Sequence, residues 1–282
     1  MKVLINYADD TYRKYQQYNS KTAVSKGGFD RVIEYSPKDI DPAYYGAHKS
    51  ILDIKRGAGL WLWKPYIILK TLNTLQDGDY LFYSDSGSYF VNSIDWLIRR
   101  MEKDQVEIMT FATPLLNIQF AKAGFIDKLG PGLEKWLYST QVMGGFILLR
   151  NSAQSRQVMA EFLSLCEEKE LLIYSNGEPQ HAEYIAHRED QTILSYLVWK
   201  KGLPTYRDPT QYGRMPLEQV QYGMDKIGLS YVCFKKYPNS DYPPILVLYR
   251  KKKLYKLIPR LRYKAVLSVK QFLFNKLAPV QG

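Results

Sequence analysis

The sequence predicts an α/β protein, a mixed sheet flanked by helices, with a basic amphipathic segment at its carboxyl end. Three observations carry that prediction. Short apolar strand patterns alternate with helix patterns over roughly the first 200 residues, the signature of a sheet covered by helices. The segment RGAGLWLWKPYIILKTLNTLQDGDYLFYSDSGSYF, Arg56 to Phe90, runs helix, tight turn and buried strand, and delivers one carboxylate, Asp85, into a Ser/Gly loop. Ligands in open α/β sheets bind outside the carboxyl ends of strands, where Asp85 would lie. The third observation is charge. Ten of the 39 Lys and Arg residues and none of the 28 Asp and Glu residues fall between Arg250 and Gly282. The remaining 249 residues therefore carry 29 bases against 28 acids, and the net charge of +11 belongs to the tail. The division this implies is one domain over residues 1–248 and a tail over 249–282.

The elements follow in order. Lys2–Tyr7 (KVLINY) reads as a first buried strand. Thr11 to Val24 reads as a polar helix, with Asp10 or Thr11 as cap and Lys26-Gly27-Gly28 as stop. Arg31–Tyr35 is a second strand, ended by Ser36-Pro37. Pro42 to Lys55 is helical, stopped at Gly57-Ala58-Gly59. Trp61, Trp63 and Lys64 open the next helix, where Pro65 suits the first turn because a missing N–H costs nothing there. Ile67, Ile68 and Leu72 are its candidate buried positions. Asp77-Gly78-Asp79 makes a tight turn into the strand Tyr80–Tyr83. Asn92–Glu102 is helical with Asn92 or Ser93 as cap, Glu107–Ala112 a strand, Gly145–Leu149 a buried strand, Ser152–Lys169 a helix, and Glu189–Trp199 an amphipathic helix stopped by Gly202 and Pro204. Thr113 to Pro131 has no clear period. From Pro204 to Pro244 the pattern thins to Tyr-, Pro- and Gly-rich loops with a short strand at Tyr231–Phe234.

Composition narrows the class. At 282 residues one core with appendages is expected. The 24 tyrosines suit either core filling or stacking on sugars and bases. Cys166 and Cys233 have neither CxxC nor metal-ligand spacing, which argues for a reducing compartment and against a disulfide scaffold. The amino terminus reads as a strand rather than a signal peptide, and no apolar run reaches the ~20 residues needed to span a bilayer. A cytoplasmic protein, peripheral on the inner face of the plasma membrane, is the expectation. GxGxxG, GxxxxGK[ST] and GxSxG are absent, so dinucleotide, P-loop and hydrolase readings lose their main support.

The candidate chemistry lies in three places. Asp85, in Ser84-Asp85-Ser86-Gly87, is either a turn acid or a contact to a nucleotide through a divalent cation or directly to the ribose. Gly144 and Gly145 permit a close backbone approach at a strand entrance. Glu189 and Asp190 open a helix, where acids are favoured by the dipole and where a carboxylate can serve as general base toward a hydroxyl. Of His48, His181 and His187, only His187 stands near another candidate and could touch metal or phosphate. The tail interleaves bases with Leu, Ile, Val, Phe and Tyr, the pattern of a membrane-surface segment, of a helix packed on the core, or of a nucleic-acid contact. Nucleic acid ranks lowest because the rest of the chain has no basic surplus.

The run WLWKPYIILKTL…DGDYLFYSDSG, with Gly144–Leu149 and Glu189–Leu194, resembles bacterial glycosyltransferases of the GT-A fold that build capsular polysaccharide and O-antigen. The resemblance covers roughly residues 1 to 200. It implies a Rossmann-like GT-A sheet, a nucleotide-diphosphate sugar such as a UDP-hexose as donor, and a lipid-linked glycan as acceptor, in surface polysaccharide synthesis. It implies a donor site built from Asn6, Tyr7, Ala8, Arg56, Lys64, Tyr83, Asp85 and Ser86, with Gly144 and Gly145 on the acceptor side. Asp85 takes the place of the last part of the acidic motif, usually DxD. The sequence departs from a full DxD, so Mg2+ or Mn2+ at Asp85 and His187 is an open expectation. Glu189-Asp190 resembles the acid pair of inverting members, and Asp190-Gln191 the Asp-Gln pair of retaining members. A sugar nucleotidyltransferase and a catalytically silent sugar-nucleotide-binding protein of the same fold are the alternatives.

Each base near an anionic leaflet contributes about 1 kcal/mol. The full chain should therefore co-sediment with anionic vesicles, and a chain lacking residues 250–282 should not. Equal binding by both would reject the tail as the attachment.

Overall fold

The computed structural model describes residues 1–174, 177–214 and 237–248. The predicted strand at Tyr231–Phe234, Cys233 and the basic tail of residues 249–282 lie outside them. The strands are β1 (Lys2–Tyr7), β2 (Arg31–Tyr35), β3 (Tyr80–Ser84), β4 (Ser88–Phe90), β5 (Ile108–Leu116), β6 (Thr140–Arg150), β7 (Thr205–Arg207) and β8 (Leu246–Leu248). Six of them form one sheet in the order β2-β1-β3-β6-β5-β7, and β4 pairs with β8 in a separate two-stranded ribbon. β2, β1 and β3 run parallel, β6 lies antiparallel to both β3 and β5, and β7 returns parallel to β5. The expected mixed α/β sheet is the observed one.

The central strands are buried on both faces, which is why KVLINY and YLFYS read as continuous apolar runs rather than alternating ones. One face carries the helices Trp63–Leu72, Ala153–Glu167 and Glu189–Lys200, packed with Ile5, Tyr83, Ile147 and Leu149. The other carries the helix Asp95–Lys103 with Phe29, Phe82, Phe90 and Phe146. Chain order reverses across β1: the chain leaves β1 for β2 on one side and returns to β3 on the other. In open α/β sheets ligands bind outside such a switch point, which here is the carboxyl ends of β1 and β3. Because β6 is antiparallel to β3, its early residues lie at the same end. Ser84 pairs with Phe146, and the Asp85 N–H donates to the Gly145 carbonyl at 2.9 Å.

Several boundaries differ from the sequence reading, each for a local reason. The first helix is Arg13–Thr22, continued by a wider π-turn over Ala23–Gly27, and its cap residue is Tyr12 rather than Asp10 or Thr11. Asp9 supplies the acceptor, taking the Tyr12 N–H at 3.2 Å. The predicted helix over 42–55 splits into Pro42–Ala47 and Lys49–Leu52. β6 starts five residues before the predicted Gly145, because buried Gln141, Val142 and Met143 extend it. The unassigned stretch after Thr113 holds the end of β5 and two short helices, Asn117–Phe120 and Ala123–Leu129.

A buried polar network ties the first helix to the site strands. The Asn19 amide donates to Ser84 Oγ (3.2 Å), Ser88 O (3.0 Å) and Ser88 Oγ (3.1 Å), and its carbonyl accepts from Asn6 Nδ2 at 2.8 Å. These bonds span both ends of the turn that carries Asp85. Buried groups left unpaired cost 1–3 kcal/mol each. Asn19→Ala should therefore lower the unfolding free energy by about 3 kcal/mol, read from the urea midpoint at constant slope.

Candidate active site

The residues singled out in the sequence converge at the carboxyl ends of β1 and β3, in two layers. Most are buried support. Asn6 is fully buried and donates from Nδ2 to Asn19 Oδ1 and to Ser20 Oγ (3.1 Å), which ties the end of β1 to the first helix. Tyr7 stacks on Trp63 with ring centroids 3.8 Å apart, and the Ser86 hydroxyl donates to the Tyr7 carbonyl at 2.6 Å, latching the β1 and β3 ends together. Ala8 is buried, its N–H donating to Tyr35 O. Two side chains face solvent: Asp85, 45% exposed, and Arg56, 51% exposed.

Lys64 links the layers. Its ammonium, 3% exposed, donates to Asp190 Oδ2 at 2.6 Å and to the Gly144 carbonyl at 2.9 Å, and lies 3.9 Å from Asp85 Oδ1. Burial alone would lower its pKa, but Asp190 and Asp85 outweigh that and hold it above the usual lysine value. Burial pushes the Asp190 carboxyl up to about 6, against the pull of Lys64. The Tyr83 hydroxyl donates to Asp85 Oδ1 at 2.6 Å, and burial beside that carboxylate raises the phenol far above its usual value. Tyr83 thereby orients Asp85 from below.

The glycines explain the packing. A Cβ on Gly145 would lie 3.0 Å from Asp85 Oδ2, and one on Gly144 3.1 Å from Gln191 Cβ and 3.3 Å from Asp190 Oδ2. The close approach expected of them is thus to Asp85 and to the helix Glu189–Lys200. Gln191 accepts the Gly144 N–H at 3.1 Å.

Glu189 is buried and pairs with Arg56, Nε to Oε1 at 2.5 Å and Nη2 to Oε2 at 3.4 Å. Burial raises its pKa above the usual carboxylate value. Its φ of 33° lies in the left-handed region. A second strained stretch precedes Lys64. Gly57, Ala58, Gly59, Leu60 and Trp61 all have positive φ, between 50° and 99°, and form one left-handed turn closed by Leu60 N–H to Arg56 O at 2.9 Å. Non-glycine residues pay roughly 1–2 kcal/mol each for this conformation. The sequence signals a helix stop at Gly57-Ala58-Gly59 but not this turn.

His187 is not part of the site chemistry. Its Nε2 lies 2.8 Å from the Leu171 carbonyl and its Nδ1 3.5 Å from the Lys122 amide, and burial lowers its pKa to about 4. Both ring nitrogens face backbone, which removes it as a metal ligand. Among the described residues no three His, Cys, Asp or Glu side chains converge as a metal centre. Glu189 and Asp190 are already paired with Arg56 and Lys64. The donor set fits a divalent cation carried by a phosphate ligand and touched by Asp85, not one held by protein alone.

No family model and no curated protein matches the sequence. Solved structures do. An active-site mutant of LgtC is 14% identical, with 94% of this chain and 95% of that one covered and a TM-score of 0.50. The apo form of mouse xyloside xylosyltransferase 1 is 8% identical, with 88% and 97% covered and a TM-score of 0.50. The fold is GT-A. The galactosyltransferase LgtC in complex with donor and acceptor sugar analogs is 16% identical over 95% and 96%, at a TM-score of 0.48. On the GT-A frame the Lys64 cluster sits at the sheet's switch point. Among the described residues no helix is long and apolar enough to cross a membrane.

Removing one partner of a buried ion pair costs about 3–5 kcal/mol, whereas replacing both with apolar groups costs far less. Lys64→Met should destabilise by that amount in urea unfolding, and the double variant Lys64→Met/Asp190→Leu should recover most of it. Additive losses would show that Lys64 and Asp190 are not coupled.

Proposed function

We propose that this protein is a glycosyltransferase that moves a sugar from a nucleotide-diphosphate donor to an acceptor hydroxyl. The observation that carries the reading is Asp85. It is a half-exposed carboxylate at the switch point of a GT-A sheet, oriented by the Tyr83 hydroxyl and backed by the Lys64–Asp190 pair.

Asp85 organises the donor at the carboxyl ends of β1 and β3, accepting from a ribose hydroxyl directly or meeting the diphosphate through a cation. Where the donor carries Mg2+ or Mn2+ on its phosphates, Asp85 is the protein ligand for it, and the cation supplies neutralising charge. Asp190 is the base, with Glu189 the other acid of the pair; both are buried, so the acceptor hydroxyl has to reach Asp190 Oδ1, the oxygen that Lys64 does not hold. A carboxyl with a pKa of about 6 is ionised at neutral pH yet basic enough to accept a proton. Asp190 takes the acceptor proton, the acceptor oxygen bonds to the anomeric carbon, and the bond from that carbon to the diphosphate oxygen breaks. The nucleoside diphosphate leaves with the electron pair. Lys64 holds Asp190 in place rather than meeting solvent.

The finer reading is a UDP-hexose donor and a lipid-linked oligosaccharide acceptor in bacterial surface polysaccharide synthesis. It is supported by the sequence resemblance and by the all-basic segment after Arg250, which suits a protein working at an anionic cytoplasmic membrane face.

Incubation with a panel of nucleotide sugars and glycan acceptors should release nucleoside diphosphate and extend the acceptor. No release from any donor would overturn the reading in favour of a silent binding protein. With an active donor, kcat/KM should fall about tenfold per pH unit below a pH of about 6, as Asp190 takes up its proton. Asp190→Asn should abolish transfer at a temperature where urea unfolding shows the variant still folded, although loss of the counter-charge to Lys64 lowers its stability. Retention of full activity would remove Asp190 as the base.

A further inference from the structure

Arg56 is tied along one edge and open along the other. Its Nε and Nη2 face the buried Glu189 carboxylate at 2.5 and 3.4 Å. Its guanidinium carbon lies 5.7 Å from the Trp61 ring centroid and 5.8 Å from that of Tyr174. Half of the side chain still faces solvent, 51% against 4% for Glu189. A surface arginine normally spreads over many rotamers, and binding an anion costs it that freedom. Here the carboxylate and the two rings have already fixed the plane, so the outer N–H groups are presented in one orientation.

The backbone is fixed as well. Arg56 is the last residue before the left-handed turn, and its carbonyl accepts the Leu60 N–H. A Cβ on Gly57 would meet the Trp61 ring at 2.4 Å, so the turn closes only with glycine there. Strain of this kind persists where the surroundings over-determine it.

Charge says what the open edge is for. Lys64 is shared between Asp190 at 2.6 Å and Asp85 at 3.9 Å, and Arg56 is paired with Glu189, which leaves Asp85, 45% exposed, as the carboxylate with no cation of its own. An anion brought to Asp85 by itself would be repelled. A planar guanidinium suits two phosphate oxygens at once, and one already paired on its inner edge still has donors on its outer edge. The neighbouring Arg188 is placed differently: its guanidinium lies 3.8 Å from the Phe120 ring centroid and reaches Gln141 Oε1.

We propose that Arg56 is the anion-binding residue of this site: its outer edge takes the diphosphate of the donor and holds it as the nucleoside diphosphate leaves, and Glu189 positions it. The proposal rests on the nucleotide-sugar reading and adds which side chain meets the phosphates. Charge developing on the leaving diphosphate is then met by a preorganised donor.

The test compares each nucleoside with its diphosphate (uridine with UDP, guanosine with GDP, thymidine with dTDP) by calorimetric titration, in EDTA and in Mn2+. The wild-type protein should bind one diphosphate at least tenfold more tightly than its nucleoside in EDTA. Arg56→Ala and Arg56→Gln should lose that preference and keep the nucleoside affinity. Gln retains a hydrogen bond toward Glu189, which guards against loss of the fold. Arg56→Lys should regain part of the preference, and Arg99→Ala, a remote loss of one charge, should leave it intact. A preference that survives both Arg56→Ala and Arg56→Gln overturns the proposal alone. So does one that appears only with Mn2+, which would assign the diphosphate to a cation on Asp85. If no nucleoside or diphosphate binds the wild-type protein, the nucleotide-sugar reading falls and takes this proposal with it.

Discussion

A buried ammonium organises this site. Lys64 is taken out of water on the helix Trp63–Leu72, and burying a cation is tolerable only when anions and carbonyls close around it. Three separate parts of the fold supply them: Asp190 from the helix Glu189–Lys200, the Gly144 carbonyl from β6, and Asp85 from the end of β3. Each must arrive at a defined distance. The glycines at 144 and 145 follow from that demand, because a methyl group at either would push the carboxylates back. Tyr83 and the Ser86–Tyr7 latch follow too, since they hold the β3 end where Lys64 can reach it.

Around this fixed centre the backbone tolerates conformations it would otherwise avoid. The left-handed turn over Gly57–Trp61 and the positive φ of Glu189 lie at the two ends of the Arg56–Glu189 pair. Their strain is offset by packing: Leu60 and Leu62 are fully buried, and Trp63 donates from its ring to the Gly57 carbonyl at 3.0 Å. The result is a rigid floor with two solvent-facing groups of opposite charge, Asp85 and Arg56.

Much of the architecture is legible in the sequence because its signals are local. β1 and β3 are recognisable as apolar runs buried on both faces, the helix from Ser152 is found at Ala153–Glu167, and Gly78 is a turn residue with φ of 91°. Signals are missing where structure is set by distant partners. β4, β7 and β8 have three residues each, too few for a period to show, and exist because a neighbouring strand offers its edge. The start of β6 is set by its pairing with β5, with Ala112 opposite Val142 and Leu116 opposite Thr140. Asn6 and His187, chemically plausible as site residues, are buried in hydrogen bonds to Asn19 and to the Leu171 carbonyl, which no local pattern announces.

The sequence by itself determined the α/β class, the place of the crevice at the end of β3, and which residue types gather there. Periodicity and turn chemistry act over a few residues and need no partner. Only the tertiary structure decided the roles of those residues. Whether Asp190 meets solvent or an ammonium depends on where Lys64 lies, 126 positions away. Whether Arg56 is free or half-tied depends on Glu189, 133 positions away. Burial and charge pairing are properties of the packed chain, so exposure, pKa and orientation, on which the chemistry turns, exist only once the sheet has brought those residues together.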